Sequence, residues 1–128
     1  MIGNPAAERA AIETTYEDTA DVMRTAPVKG PGHITKAVPS VVYSAIICAL
    51  SYSGGDKSEQ TKAQNDVDYD AEIFAPPELK IHPGDRITLK RFGRGNPASG
   101  ITLEFEVVGR PLLYATHQQI RVKDGDLA

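Results

Sequence analysis

The residues whose types could do chemistry are three histidines (His33, His82 and His117), one cysteine (Cys48) and a row of acids at Asp66, Asp68, Asp70 and Glu72. No pair of histidines has the spacing of a zinc site, and Cys48 stands in an apolar run far from all three. On a strand, acids spaced by two share one face. Such a row holds a cation or acts as paired carboxylates, or it is a solvated face that resists edge-to-edge aggregation; the second reading is favoured. No Gly-x-Ser-x-Gly elbow places a serine nucleophile. Gly93-Arg94-Gly95 lacks the third glycine and following helix of a dinucleotide site, and no Gly-Lys-Ser/Thr run would cradle a phosphate. The expectation is a chain with no catalytic residue, metal site or cofactor, and no enzymatic activity.

Charge suggests binding instead. Residues 79–99 hold Lys80, Arg86, Lys90, Arg91 and Arg94 against one acid, Asp85. Residues 66–78 hold the four acids above plus Glu78 and no base. On opposite flanks of one domain, these segments would let copies dock head to tail into a ring, with Asp68, Asp70, Glu72, Arg86, Lys90, Arg91 and Arg94 at the interface. Two independent solvated surfaces fit the charges equally well. The basic stretch could alternatively bind nucleic acid, although few aromatics accompany it for stacking bases.

The elements that would carry these residues are strands. Residues 1–12 are a tail with helical bias, Asn4 and Pro5 standing as N-cap and first-turn residue. Residues 13–128 read as a single domain. Residues 14–25 read as a strand. Residues 26–40, with Pro27, Gly30, Pro31, Gly32 and Pro39, read as a long loop, which a ring protein would use to reach a neighbour and would order only in the assembly. Residues 41–51 read as a strand buried on both faces. Residues 67–74, 86–92 and 101–108 alternate, with Ile87, Leu89, Ile101, Leu103, Phe105 and Val107 inward, and 117–123 make a last strand. His82-Pro83-Gly84-Asp85 is a type II turn. The fold class is therefore all-β, a small β-barrel or sandwich of about six strands with long loops.

Of the 128 residues, 41% are hydrophobic and 24% charged, with a net charge of −3. A chain of this size buries roughly two-thirds of its surface on folding and needs no disulfide staple. The charge balance argues against a protein that coats nucleic acid with its whole surface. The longest apolar run has ten residues, short of the ~20 of a membrane helix, and the first residues lack a signal-peptide pattern. No membrane partner is expected, and the chain is expected to be soluble and intracellular when made.

Residues 74–89 (FAPPELKIHPGDRITL) and 105–122 (FEVVGRPLLYATHQQIRV) resemble the head-closure, or head–tail connector, proteins of long-tailed phages and prophages. The matching order is a Tyr43-containing strand, a polar loop, a strand near Phe74, the Pro-Gly-Asp-Arg turn, and a closing Gly109-Arg110-Pro111…Tyr114…Thr116-His117-Gln118 segment. It covers roughly residues 14–123. The resemblance implies a structural virion protein at the neck, in a homo-oligomeric, usually dodecameric ring. The portal and adaptor would lie above it and the tail terminator or tail tube below. Genomic double-stranded DNA would pass through its channel without sequence-specific contact. The loop implied to face that channel begins Ser53, Gly54, Gly55, Asp56, Lys57, Ser58, Glu59; its charges balance and its glycines permit movement. Tyr114 is expected to bury its ring, and His117 to hydrogen-bond to a neighbouring strand.

Overall fold

The computed structural model describes residues 5–29, 35–52 and 69–125, with the side chains of 5, 26–29 and 35–37 left aside. The elements are α1 (Pro5–Glu13), β1 (Asp18–Lys29), β2 (Thr35–Ser51), β3 (Ala71–Ala75), β4 (Arg86–Lys90), β5 (Thr102–Val107), β6 (Leu112–Leu113) and β7 (Gln118–Asp124). Every pairing is antiparallel. The order β3-β2-β1-β4-β5-β7 closes through β3–β7, so six strands form a barrel and the short β6 lies against β7. The fold is the small barrel rather than the sandwich.

Period-two alternation fills the interior. Ala20 and Val22 of β1, Ile73 of β3, Ile87 and Leu89 of β4, Phe105 and Val107 of β5, and Ile120 and Val122 of β7 are all buried. A barrel of six strands is narrow enough for such side chains to fill it completely. Each large aliphatic side chain buried this way stabilises the fold by about 1.5–3 kcal/mol. Cys48 lies in this core, and burial pushes its thiol up to about 12.

Four expectations need correction. Residues 26–40 are not one long loop. β1 runs on through Pro27 to Lys29 and pairs with Thr35 to Ser40 of β2, Pro27 opposite Ala37 and Pro39 opposite Thr25. Beyond Met23, β1 has no partner other than β2 among the described residues, since its ladder with β4 ends there. In a two-stranded ribbon every second N–H faces outward, where a proline breaks no ladder bond. The prolines are therefore compatible with the strands, and this part of the chain is paired without any partner molecule. Second, β1 begins at Asp18, because residues 14–16 close off α1: Thr14 N–H reaches Ala10 O and Thr15 N–H reaches Ile12 O. Third, residues 41–51 are not buried on both faces. Cys48 and Leu50 are buried, but Val41 is 56% exposed. Fourth, Ile101 is exposed, since it stands in the β4–β5 connection, one residue before β5.

β2 carries two bulges where the hairpin leaves the barrel. Between Ala20↔Ile46 and Val22↔Tyr43, and again between Val22↔Tyr43 and Met23↔Val41, β2 spends one more residue than β1. Ala45 there has a φ of 52°, and its N–H donates to the Asp21 carboxylate at 2.8 Å. Bulges bend and twist a strand pair. They set the direction in which the outer half of the hairpin, residues 24–29 and 35–40, projects as an arm.

Candidate functional site

Two buried aspartates bracket the β1–β4 ladder. Asp18 opens β1 and is 1% exposed. One carboxylate oxygen accepts the Phe92 N–H at 2.8 Å; the other accepts the Leu50 N–H at 2.8 Å and Arg91 Nη1 at 2.9 Å. Arg91 Nη1 also donates to the Leu50 carbonyl, and its guanidinium lies 4.9 Å from the Phe92 ring centroid. Phe92 takes a φ of 62°, a left-handed conformation disfavoured for a bulky residue and held here by the bond to Asp18.

At the other end of the ladder Asp85, 2% exposed, closes the turn that precedes β4. Gly84 has a φ of 91° and Asp85 N–H donates to His82 O at 3.1 Å, the geometry of a type II turn. The Asp85 carboxylate accepts the His82 N–H and a two-pronged bond from Arg24, Nε at 2.9 Å and Nη2 at 2.8 Å. The same bond raises the affinity of the Arg24 guanidinium for its proton. Arg24 Nη2 also donates to Lys80 O, while Tyr43 Oη accepts the Lys80 N–H at 2.9 Å. Each carboxylate is engaged by an arginine and by backbone N–H donors.

The residues expected at an interface are divided. Arg91 serves Asp18. Arg94 donates to the carbonyls of Glu13 and Tyr16, fastening the end of α1 to the β4–β5 connection. Lys90 Nζ donates to Pro97 O at 2.8 Å and Arg86 Nη2 to Gly125 O at 2.7 Å. Glu106 stands across from Arg86, and Glu104 across from Thr88, so the outer face of β4 is mixed in charge. Asp70 accepts the Asp124 N–H, and Glu72 lies across from Arg121. β3 and β4 are three strands apart by either route round the barrel, which sets Glu72 across it from Arg86 and Lys90. Asp68, and the loop residues Ser53, Gly54, Gly55, Asp56, Lys57, Ser58 and Glu59, lie outside the described residues.

The closing segment is pinned by Gln118, the last residue of the closing motif. It is buried in β7, and its Nε2 donates to Pro76 O at 2.8 Å and Leu79 O at 2.7 Å. Gly109 takes a φ of 73° and Arg121 Nη2 donates to Arg110 O, turning the chain before β6. Tyr114 does not bury its ring. It is 49% exposed and stacks on His117, ring centroids 4.8 Å apart, because β6 ends before it and leaves it at the barrel's margin. The His117 ring meets Thr116 and Gln119 on its own segment and packs against Phe74 of β3 at 5.7 Å, so its contact across strands is ring packing.

The hollows on this surface are shallow. One, about 660 Å³, is lined by Tyr16, Phe92, Arg94 and Asn96, and its one cation is the arginine already bonded to carbonyls. A second, about 350 Å³, lies between residues 77–82 and Leu113. No cluster of three or more histidine, cysteine or acidic side chains stands ready for a metal among the described residues. No described helix is long and apolar enough to cross a membrane.

Class and likeness rest on this geometry: the chain is a small closed antiparallel barrel with a projecting two-stranded arm. No family model and no curated protein matches it. Among solved structures it is similar to protein SF1141 from Shigella flexneri 2a, with a TM-score of 0.64 and 13% identity over 88% of this chain and 96% of that one. At that identity the likeness concerns the fold alone. A second structure, xkdH of the phage-like element PBSX from Bacillus subtilis, aligns with a TM-score of 0.47 and 12% identity over 84% of this chain and 93% of that one.

Proposed function

We propose that this chain is a structural virion protein, a head-closure subunit that joins the portal–adaptor complex to the tail of a long-tailed phage or prophage. One observation carries the reading beyond the sequence resemblance. Four of the motif residues on which that resemblance rests serve the architecture: Gly84 and Asp85 build the turn and clamp Arg24, Gly109 turns the chain, and Gln118 holds the 76–79 segment. Motif residues that build a barrel suit a protein whose work is to fit between neighbours. In this reading the chain has no enzymatic role, assembles as a ring around double-stranded DNA, and contacts adaptor and tail proteins above and below.

The alternative, a nucleic-acid-binding barrel acting through residues 80–94, is less favoured because several of its basic groups are engaged within the barrel, while Lys80 stays exposed. Arg91 and Arg94 are tied to Asp18 and to backbone carbonyls, and Lys90 to Pro97.

Deletion of the gene from its phage or prophage tests the proposal. The expected result is heads that package DNA, fail to retain it and do not join tails, with infectivity restored by the gene supplied in trans. Normal yields of complete, infectious particles from the deletion would overturn it.

A further inference from the structure

Among the described residues, neither strand of the arm pairs with any strand but the other. A two-stranded ribbon is marginally stable alone in water. This one extends six residues past the last β1–β4 pair, about 20 Å at the usual rise per residue. Val38 on it is 42% exposed, and Val41 at its root 56%. Residues 22–55 hold Arg24, Lys29 and Lys36 and no acid, so a chain of net charge −3 carries +3 there and −6 elsewhere. Arg24 is engaged by Asp85 at the root. Lys29 and Lys36 stand at the outer end, at adjoining register positions: Lys29 opposite Thr35, Lys36 opposite Val28.

We propose that the arm docks on the barrel of a second copy of this chain. The inference deepens the ring reading and rests on it, naming the surface through which subunits join. Opposite charge within one molecule supplies the attraction: the cationic arm of one copy meets the acid-rich remainder of the next, which offers exposed carboxylates such as Glu104 and Glu106 on β5. Apolar contact supplies the cover that Val38 and Val41 lack. The prolines define the kind of contact. Pro27 and Pro39 remove one N–H from each strand of the arm, which disfavours extension of either edge by an added strand and leaves side-chain packing. Arm and barrel are different surfaces, so the contact is heterologous and repeats from copy to copy until it closes. The bulges and the Ala45–Asp21 bond give each arm the same exit direction, as a closed ring requires.

The test is zero-length carbodiimide crosslinking of an equal mixture of isotopically heavy and light full-length chains at low ionic strength, read by mass spectrometry. Crosslinks that join heavy to light chains through Lys29 or Lys36 and a barrel carboxylate are expected. Sedimentation should show concentration-dependent association that weakens with salt, and the double variant Lys29→Gln/Lys36→Gln should weaken it roughly tenfold while melting as the parent does. A chain that stays monomeric to about 1 mM, a contact of ~4 kcal/mol or weaker, overturns the proposal. So do mixed crosslinks that bypass both lysines, or arm lysines protected only by added duplex DNA. Such a failure leaves the virion reading to be judged separately by the deletion phenotype.

Discussion

The β1–β2 hairpin is two structures in one pair of strands. Its inner half, Asp18–Met23 with 41–51, is built into the barrel, and Val22, Cys48 and Leu50 are buried by neighbouring strands. Among the described residues its outer half pairs only within the hairpin, and Val38 is exposed. The border is marked by the bulges on β2 and by Arg24, whose guanidinium is drawn onto Asp85. The same backbone ladder thus serves cohesion on one side of the border and presentation on the other. Hydrogen bonding alone does not say which half is core; the company kept by the side chains does.

Substitutions in the two halves should separate sharply. The largest effect is expected at Asp18→Ala, which strips Arg91 and the N–H groups of Leu50 and Phe92 of their acceptor. Losing one member of a buried ion pair costs about 3–5 kcal/mol, readable as a shift in the urea midpoint. Leu89→Ala, in the core on β4, should cost about 2–4 kcal/mol in the same assay. Tyr114→Ala, with half the ring in solvent, should cost about 1 kcal/mol; a loss near 3 would show that the ring is buried after all. Val38→Asp on the arm should lie within about 0.5 kcal/mol of the parent, and a larger loss would erase the distinction between the halves.

The smallest effect concerns Glu78, whose carboxyl is held below its usual range by the hydrogen bond from Arg9 and is largely exposed. A depressed carboxyl stabilises the fold above its unfolded pKa and loses that contribution as pH falls through the folded value. Glu78→Gln should therefore cost a few tenths of a kcal/mol at neutral pH and nothing well below the carboxylate range. Cys48 offers an independent check on the inner half. Buried, with its thiol pushed up to about 12, it should be alkylated only as fast as the chain unfolds.

The barrel strands were legible because alternation survives in them: Ile87 and Leu89, Phe105 and Val107, Ile120 and Val122 point inward as their spacing says. The turn at residues 82–85 was legible because Gly after Pro has few other uses. The arm was not, since prolines mark loops unless the strand lies at an edge, and edges are a property of topology. The buried roles of Asp18 and Gln118 stayed hidden because they depend on partners 30 or more residues away: Leu50 and Arg91 for one, Pro76 and Leu79 for the other. For the same reason Arg91 and Arg94 read as surface charge. A cation looks free in sequence until the fold brings it a carboxylate or a carbonyl.

Cryo-electron microscopy of the intact particle tests the central claim most directly. The account predicts a ring of these six-stranded barrels between the portal–adaptor complex and the tail, around the DNA path. Particles of complete composition whose neck contains no copy of this chain would contradict it.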